Sequence, residues 1–144
     1  MGIALHIIAV GTKMPAWVTD AYQEYAKRFT RDFPLSLTEI PLGKTNKIID
    51  YLTPKSRTIA LDIKGEAWDT EKLAKQLDHS QNICAVLNFL IGGPDGLNKE
   101  CLAAAHHRWS LSPLTFPHPL VRIILVEQLY RAMSILNHHP YHRT

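Results

Sequence analysis

Residues 109–144 read WSLSPLTFPHPLVRIILVEQLYRAMSILNHHPYHRT, and three unlike pieces follow one another without a break. A loop of small and hydroxyl residues, Ser110 to His118, is punctuated by Pro113 and Pro117. Prolines fix the path of such a loop and leave many backbone donors and acceptors free for a ligand. A strongly apolar helix is expected over residues 119–136. Val121, Ile124, Leu125, Leu129, Ala132, Met133 and Leu136 form one stripe on it, and Ile123, Val126 and Tyr130 widen that stripe well beyond one face. A helix apolar over most of its circumference is buried on more than one side. A second subunit or a central place in the core would each account for it. Glu127 and Arg131 stand at i,i+4 in the favourable order and can pair on the remaining strip. A polar tail closes the stretch over residues 137–144, with His138, His139, Tyr141, His142 and Arg143. It holds little apolar surface, and such a terminus normally frays.

Working outward, strand-like and helix-like runs alternate, which predicts an α/β domain with a mostly parallel sheet. Residues 4–10 read as a buried first strand. Pro15 suits the first turn of a helix. On that helix Trp17, Val18, Ala21, Tyr22, Tyr25, Ala26 and Phe29 recur at helical spacing. Residues 35–40 read as a second strand and 47–52 as one short helix. Residues 58–63 make a third strand, which Lys64-Gly65 is expected to turn. Asp69 or Thr70 can cap a helix running to about His79. Residues 85–91 are apolar on both faces apart from Asn88, which suits the centre of a parallel sheet. A turn at Gly92-Gly93-Pro94-Asp95-Gly96, a helix over residues 98–107 and a short strand over 108–111 complete the series.

The 144 residues suggest one domain, residues 1–144. Cys84 and Cys101 lie far apart and form no CxxC, so a reduced, cytoplasmic setting is expected. No leader peptide and no membrane span are expected. The formal net charge of +3 permits a nucleic-acid partner without arguing for one.

Several motifs invite chemistry. Gly43-Lys44-Thr45 looks like the end of a P-loop, but Thr38 stands where that motif needs glycine. The Gly92–Gly96 turn lacks the GxGxxG spacing. A tight turn with glycines at positive φ and a ligand-contacting turn are both open readings. His138, His139 and His142 lack the further ligands that a metal needs, so none is expected. Ser110, Ser112 and Thr115 with His118 suggest a hydrolase, yet no GxSxG elbow surrounds either serine. Arg122, Arg131, Arg143, Lys13, Lys27 and Arg28 each read as solvated surface charges.

SLSPLTFPHPLVRIILVEQLYRA and the ending HPYHR resemble the C-terminal signature of the SPOUT-class ribosomal RNA large subunit methyltransferase H family. AVGTKMPAWVTDAYQEYAKRF, ALDIKGEAWDT and FLIGGPDGL fit the same family in order, and together the segments cover most of the chain. The resemblance implies the SPOUT fold, a parallel sheet flanked by helices with a C-terminal trefoil knot. It implies S-adenosylmethionine as methyl donor, held by three loops. By position these are the end of the third strand at Leu61, the Gly92-Gly93 turn, and Leu111, Ser112, Pro113, Leu114, Thr115 and Phe116. The implied reaction is methyl transfer to N3 of a pseudouridine in the intersubunit-bridge stem-loop of 23S rRNA, on the ribosome, by a homodimer. Tyr141, His142 and Arg143 match the family's tail and are assigned to catalysis. His142 would take the imino proton, since imidazole titrates near neutrality, and Arg143 would fix a phosphate or carbonyl. A catalytically silent RNA-binding protein of the same fold is the alternative, and a small-molecule methyltransferase a third. The chain departs from the family in one place: only residues 44–57 stand where a longer helical segment is usual, which bears on ribosome docking.

Overall fold

A computed structural model describes residues 2–143. Five strands, β1 (Ala4–Val10), β2 (Leu35–Ile40), β3 (Ser56–Ala67), β4 (Val86–Ile91) and β5 (His107–Ser110), form one sheet in the order β2-β1-β4-β3-β5. Every pairing is parallel. The helices are α1 (Ala16–Ala26), α2 (Thr70–Gln81), α3 (Lys99–Ala104) and α4 (His118–Leu136), with a 3₁₀ helix at Thr45–Tyr51. Asp69 and Asn98 cap α2 and α3 by accepting from the amides of Lys72 and Cys101, both at 2.8 Å.

Strand alternation gives the sheet two faces. Leu5, Ile7, Ala9, Ile59, Leu87, Phe89 and Ile91 meet α1, α2 and α4 in the larger core. Ile8, Val10, Ile40 and Leu90 meet Ile48 of the 3₁₀ helix and Cys101 of α3 in a smaller one. The central position of β4, paired on both sides, explains its near-continuous apolar run. Its one polar residue, Asn88, is buried and donates to the hydroxyls of Ser56 at 3.0 Å and Thr58 at 3.4 Å on β3.

The width of the apolar stripe on α4 has its cause within one chain. The helix lies between α1 and α2 over the sheet. The Tyr130 ring sits 6.2 Å from Phe29, three residues beyond α1, and Gln128 accepts from the Thr70 hydroxyl of α2 at 2.7 Å. Val126 is fully buried in this packing. The strip turned away from the sheet carries Leu120, Ile123 and Ile124 near its start and Glu127 and Arg131 further on. Trp17 also departs from expectation. It is 56 % exposed, because Val18 and Tyr22 carry the buried side of α1.

Lys64-Gly65 does not end β3, which continues to Ala67. Leu61 and Glu66 both pair with Trp109, so residues 62–65 bulge out between two pairings with one residue of β5. Helix α3 ends at Ala104, before the expected 107, and β5 starts a residue early and closes at Ser110. Gly65 is required by closeness rather than by a turn. A Cβ there would stand 2.6 Å from the carbonyl carbon and oxygen of Arg108 and 2.7 Å from the Trp109 nitrogen. Gly65→Val is therefore expected to lose about 1–3 kcal/mol, the usual range for overpacking against backbone that cannot give way. A urea midpoint equal to that of the native protein would contradict the close approach.

Candidate functional site

An open cleft of about 800 Å³ lies at the carboxyl ends of β3, β4 and β5, where open α/β sheets commonly receive ligands. Three segments build it. The bulge of β3 supplies Leu61, Asp62 and Ile63. The turn after β4 supplies Gly92 to Gly96. The end of β5 supplies Ser110, the loop after it Leu111, Ser112, Leu114, Thr115, Phe116 and Pro117, and α4 adds His118 and Val121. Of the nine residues expected to hold a methyl donor, Leu61, Gly92, Gly93, Leu111, Ser112, Leu114, Thr115 and Phe116 line this cleft. Pro113 stands outside the lining, at the exposed corner of its loop.

The glycine turn is tight and borders the cleft. The Gly96 amide donates to the Gly93 carbonyl at 2.9 Å, closing a tight turn that also faces the cleft. Only Gly96 has a positive φ, +74°, while Gly92 is fixed by closeness, since a Cβ on it would meet the Gly96 carbonyl carbon at 2.5 Å. The β5–α4 loop braces itself. The Ser110 hydroxyl donates to the Ser112 carbonyl at 3.0 Å, and the Ser112 hydroxyl accepts from the Leu114 amide at 3.0 Å. Both serines are thus occupied in holding the loop's shape, which accounts for a serine-rich loop without any nucleophile. Apolar walls with a few fixed backbone groups are the usual make-up of a small-molecule site.

Beneath the cleft lies a polar cluster that composition did not foretell. Arg122 reads as a surface charge in the sequence, but its side chain is 3 % exposed. It is ion-paired with Glu39 of β2 and donates to the Gly11 carbonyl at 3.2 Å. Its Nε has no partner among the described residues, and neither do the Tyr22 hydroxyl and His118 Nδ1. Burial, then the nearby Arg122 charge, holds the His118 imidazole below its usual range. Burial pushes the Tyr22 hydroxyl up to about 12. The signal that could have found Arg122 is its place, at i,i+3 and i,i+7 before Leu125 and Leu129 on the buried stripe.

The tail lies elsewhere. Tyr141, His142 and Arg143 do not line the cleft of their own chain. Glu127, which holds Tyr141, is nine residues beyond His118, about 14 Å along the helix axis. The Tyr141 ring packs edge-on against Tyr130, centroids 4.6 Å apart, and its hydroxyl donates to Glu127 at 2.9 Å. Arg131 pairs with Glu127 at 2.9 Å and lies 4.7 Å over the Tyr141 ring. His142 bridges Arg131, 3.3 Å from Nδ1, and Glu71 of α2, 3.0 Å from Nε2. That contact holds the Glu71 carboxyl below the usual carboxylate range. Burial, then Glu127, pushes the Tyr141 hydroxyl up. The tail is therefore docked rather than frayed through His142. Arg143 is exposed, and Thr144, the last tail residue, lies outside the described residues. Among the described residues no group of histidine, cysteine and carboxylate side chains is arranged to hold a metal.

Comparison with known proteins agrees with this architecture. The family model described as predicted SPOUT methyltransferase matches residues 3–142. The chain is 48% identical over 153 residues to ribosomal RNA large subunit methyltransferase H of Saccharophagus degradans, covering 96% of this chain and 99% of that protein. A probable methylase family protein from Haemophilus influenzae has a similar structure, with a TM-score of 0.61 at 10% identity over 97% of this chain and 70% of that one. The SpoU methyltransferase AviRb from Streptomyces viridochromogenes, solved in complex with AdoMet, gives 0.56 at 10% identity over 92% and 59%. At these identities the two structures show likeness of fold.

The docked tail carries a consequence for stability. Tyr141→Ala removes the aromatic pair with Tyr130 and should cost about 0.5–1.5 kcal/mol beyond the lost area. Tyr141→Phe, which keeps the ring and loses only the hydrogen bond to Glu127, should cost less. Equal melting temperatures for Tyr141→Ala and the native protein would mean that the tail is not docked in solution.

Proposed function

The chain belongs to the SPOUT methyltransferase family, to the branch of ribosomal RNA large subunit methyltransferase H, and on that premise we propose that it methylates 23S rRNA. The end-to-end match at 48% identity carries this reading. The proposed reaction is transfer of a methyl group to N3 of a pseudouridine on the ribosome, by a cytoplasmic protein acting as a single domain. Among the described residues no helix is long and apolar enough to cross a membrane.

The donor in this proposal is S-adenosylmethionine, whose sulfonium supplies an activated methyl group when bound. Leu61 and the turn at Gly92-Gly93 would border it, and the backbone of residues 111–116 would hold its adenine between apolar walls. The protein's task is then to align donor and ring nitrogen and to exclude water. A loop already braced by Ser110 and Ser112 suits that task, because little ordering remains to be done on binding.

Tyr141, His142 and Arg143, which follow the far end of α4 and do not line their own chain's cleft, remain the proposed catalytic residues, and in this reading they act on another chain's cleft. A homodimer formed through the outward strip of α4 would bring them there. That strip begins with Leu120, which is 37% exposed, and continues through half-buried Ile123 and Ile124. Val126 belongs to the core of its own chain, so a charge placed there tests folding rather than association. Ile123→Glu is the better probe. It should yield monomers by light scattering at micromolar concentration, since a charge would otherwise be buried unpaired. A native protein that is itself monomeric under those conditions would remove the dimer and the shared site together.

The direct test is labelled methyl transfer to ribosomes whose target uridine is already isomerised, with mass mapping of the product. Arg143→Ala should lower the rate by roughly a hundredfold, the scale of losing one preorganised charged or hydrogen-bond donor. Arg143→Lys should not restore it fully, for want of the planar fork. Melting temperature and donor affinity should stay near native, because Arg143 is exposed. Native rates in Arg143→Ala would take the tail arginine out of the reaction, and a label elsewhere than N3 of pseudouridine would overturn the proposed acceptor.

A further inference from the structure

We propose, resting on the reading above, that His118 is a catalytic residue that donates a neutral Nε2–H hydrogen bond to a carbonyl beside the methylated nitrogen. N3 of a pseudouridine is flanked by two ring carbonyls. When its proton leaves, the negative charge spreads onto both oxygens. A fixed donor at one of them stabilises the reacting form of the base.

The position comes first. His118 opens α4 and lines the cleft beside Phe116 and Pro117. Gly11, at the end of β1, closes one edge of its ring. A Cβ on Gly11 would meet His118 Cε1 at 3.0 Å and Nδ1 at 3.5 Å. Nδ1 is buried there without a partner. The Nε2 and Cδ2 edge is the one left to face the cleft.

The proton's place follows from charge. Arg122, one turn further on α4, is held by Glu39 of β2 and by the Gly11 carbonyl. Its own Nε is buried and unpartnered. A guanidinium beside the shut edge favours a lone pair on Nδ1, so the ring's proton sits on Nε2. Three effects oppose a second proton: burial, the Arg122 charge, and the positive end of the α4 dipole. The same effects make His118 a poor proton acceptor and a good neutral donor. In the step itself the N3 proton passes to the tail imidazole or to water. The N3 electron pair forms the bond to the methyl carbon, and the carbon–sulfur electrons return to sulfur. His118 keeps its proton throughout, and Arg122 with Glu39 acts as a positioning pair.

The tautomer is read directly from imidazole nitrogen shifts in nitrogen-15-labelled native protein, with His118 assigned by its absence from His118→Gln. A protonated Nε2 and a bare Nδ1 near neutral pH are expected. A proton on Nδ1, or a doubly protonated ring, would overturn the proposal whatever the activity. In the kinetic arm, His118→Ala should lower methyl transfer to ribosomes about a hundredfold. Its affinity for S-adenosylhomocysteine by calorimetry should stay within threefold. His118→Gln, whose amide nitrogen can stand near Nε2, should recover at least a tenth of the native rate. Native transfer by His118→Ala, or no recovery with glutamine in a normally melting variant, would sink the role of His118 alone. Absence of transfer by the native protein would instead bring down the methyltransferase reading, and this role with it.

Discussion

A guanidinium can be buried only where something nearby answers its charge, and around Arg122 the answer comes from two strands at once. Glu39 on β2 supplies the opposite charge, and the Gly11 carbonyl at the end of β1 takes a further hydrogen bond. Removing Glu39 strands the buried charge of Arg122, and since the Glu39 side chain is itself 37% exposed the loss falls short of that for a fully buried pair. Arg122 stands in the first turns of α4, so this one contact fixes where the helix begins relative to the sheet. The cleft depends on that placement. Its third wall is the loop between β5 and α4, anchored at one end by sheet pairing and at the other by Arg122. Packing of Leu125, Val126 and Leu129 sets how deep the helix lies. Being non-directional, it leaves sliding along the sheet to be resisted by the ion pair.

The two ends of α4 consequently do different things. The first end presents His118 and Val121 to the cleft and an apolar strip to the outside. The second end is wrapped by its own tail, with Tyr141 on Tyr130 and His142 between Arg131 and Glu71. Ser134 points away from the sheet on a helical wheel and is nevertheless 2% exposed. Its hydroxyl donates to the Tyr130 carbonyl at 2.8 Å, a bond that lets a polar side chain be covered.

Much of this was legible because it is periodic. The first two strands and the last helix show their repeats in residues close together in sequence, so their spans are read to within a residue. The misreadings share one physical origin: each concerns a contact with a distant segment. Gly65 looks like half of a turn, while its need arises from the Arg108 backbone pressed against it. Trp17 fits the helical repeat, yet burial stops at Val18. Val126 widens an apolar stripe, and only the places of α1 and α2 reveal that its own chain buries it. Arg122 is a single charge in an apolar run, and no local rule places Glu39 beside it. At the cleft, the glycine turn and the proline-stiffened loop were legible as such because proline and glycine act locally, while their assignment to a methyl donor rests on the family resemblance. The partners of the tail could not, since Glu71 lies on another helix.

The tail's hold is also of a size that a ligand can overcome. The pair of Tyr141 with Tyr130 adds about 0.5–1.5 kcal/mol beyond its buried area. The contact of His142 with Glu71, whose side chain is 45% exposed, belongs among surface pairs, typically about 0–1 kcal/mol. Glu127 and Arg131 stay paired on α4 whether or not Tyr141 is present, so release of the ring strands no charge. His142 has both ring nitrogens occupied while docked: Nδ1 accepts from Arg131 and Nε2 donates to Glu71. A docked His142 therefore has no free lone pair with which to take a proton. In the proposed reaction it can take a proton only once Nδ1 has left Arg131. A single charge-assisted contact from exposed Arg143 to a phosphate, worth about 1.5–3 kcal/mol, is of the right order to shift that balance.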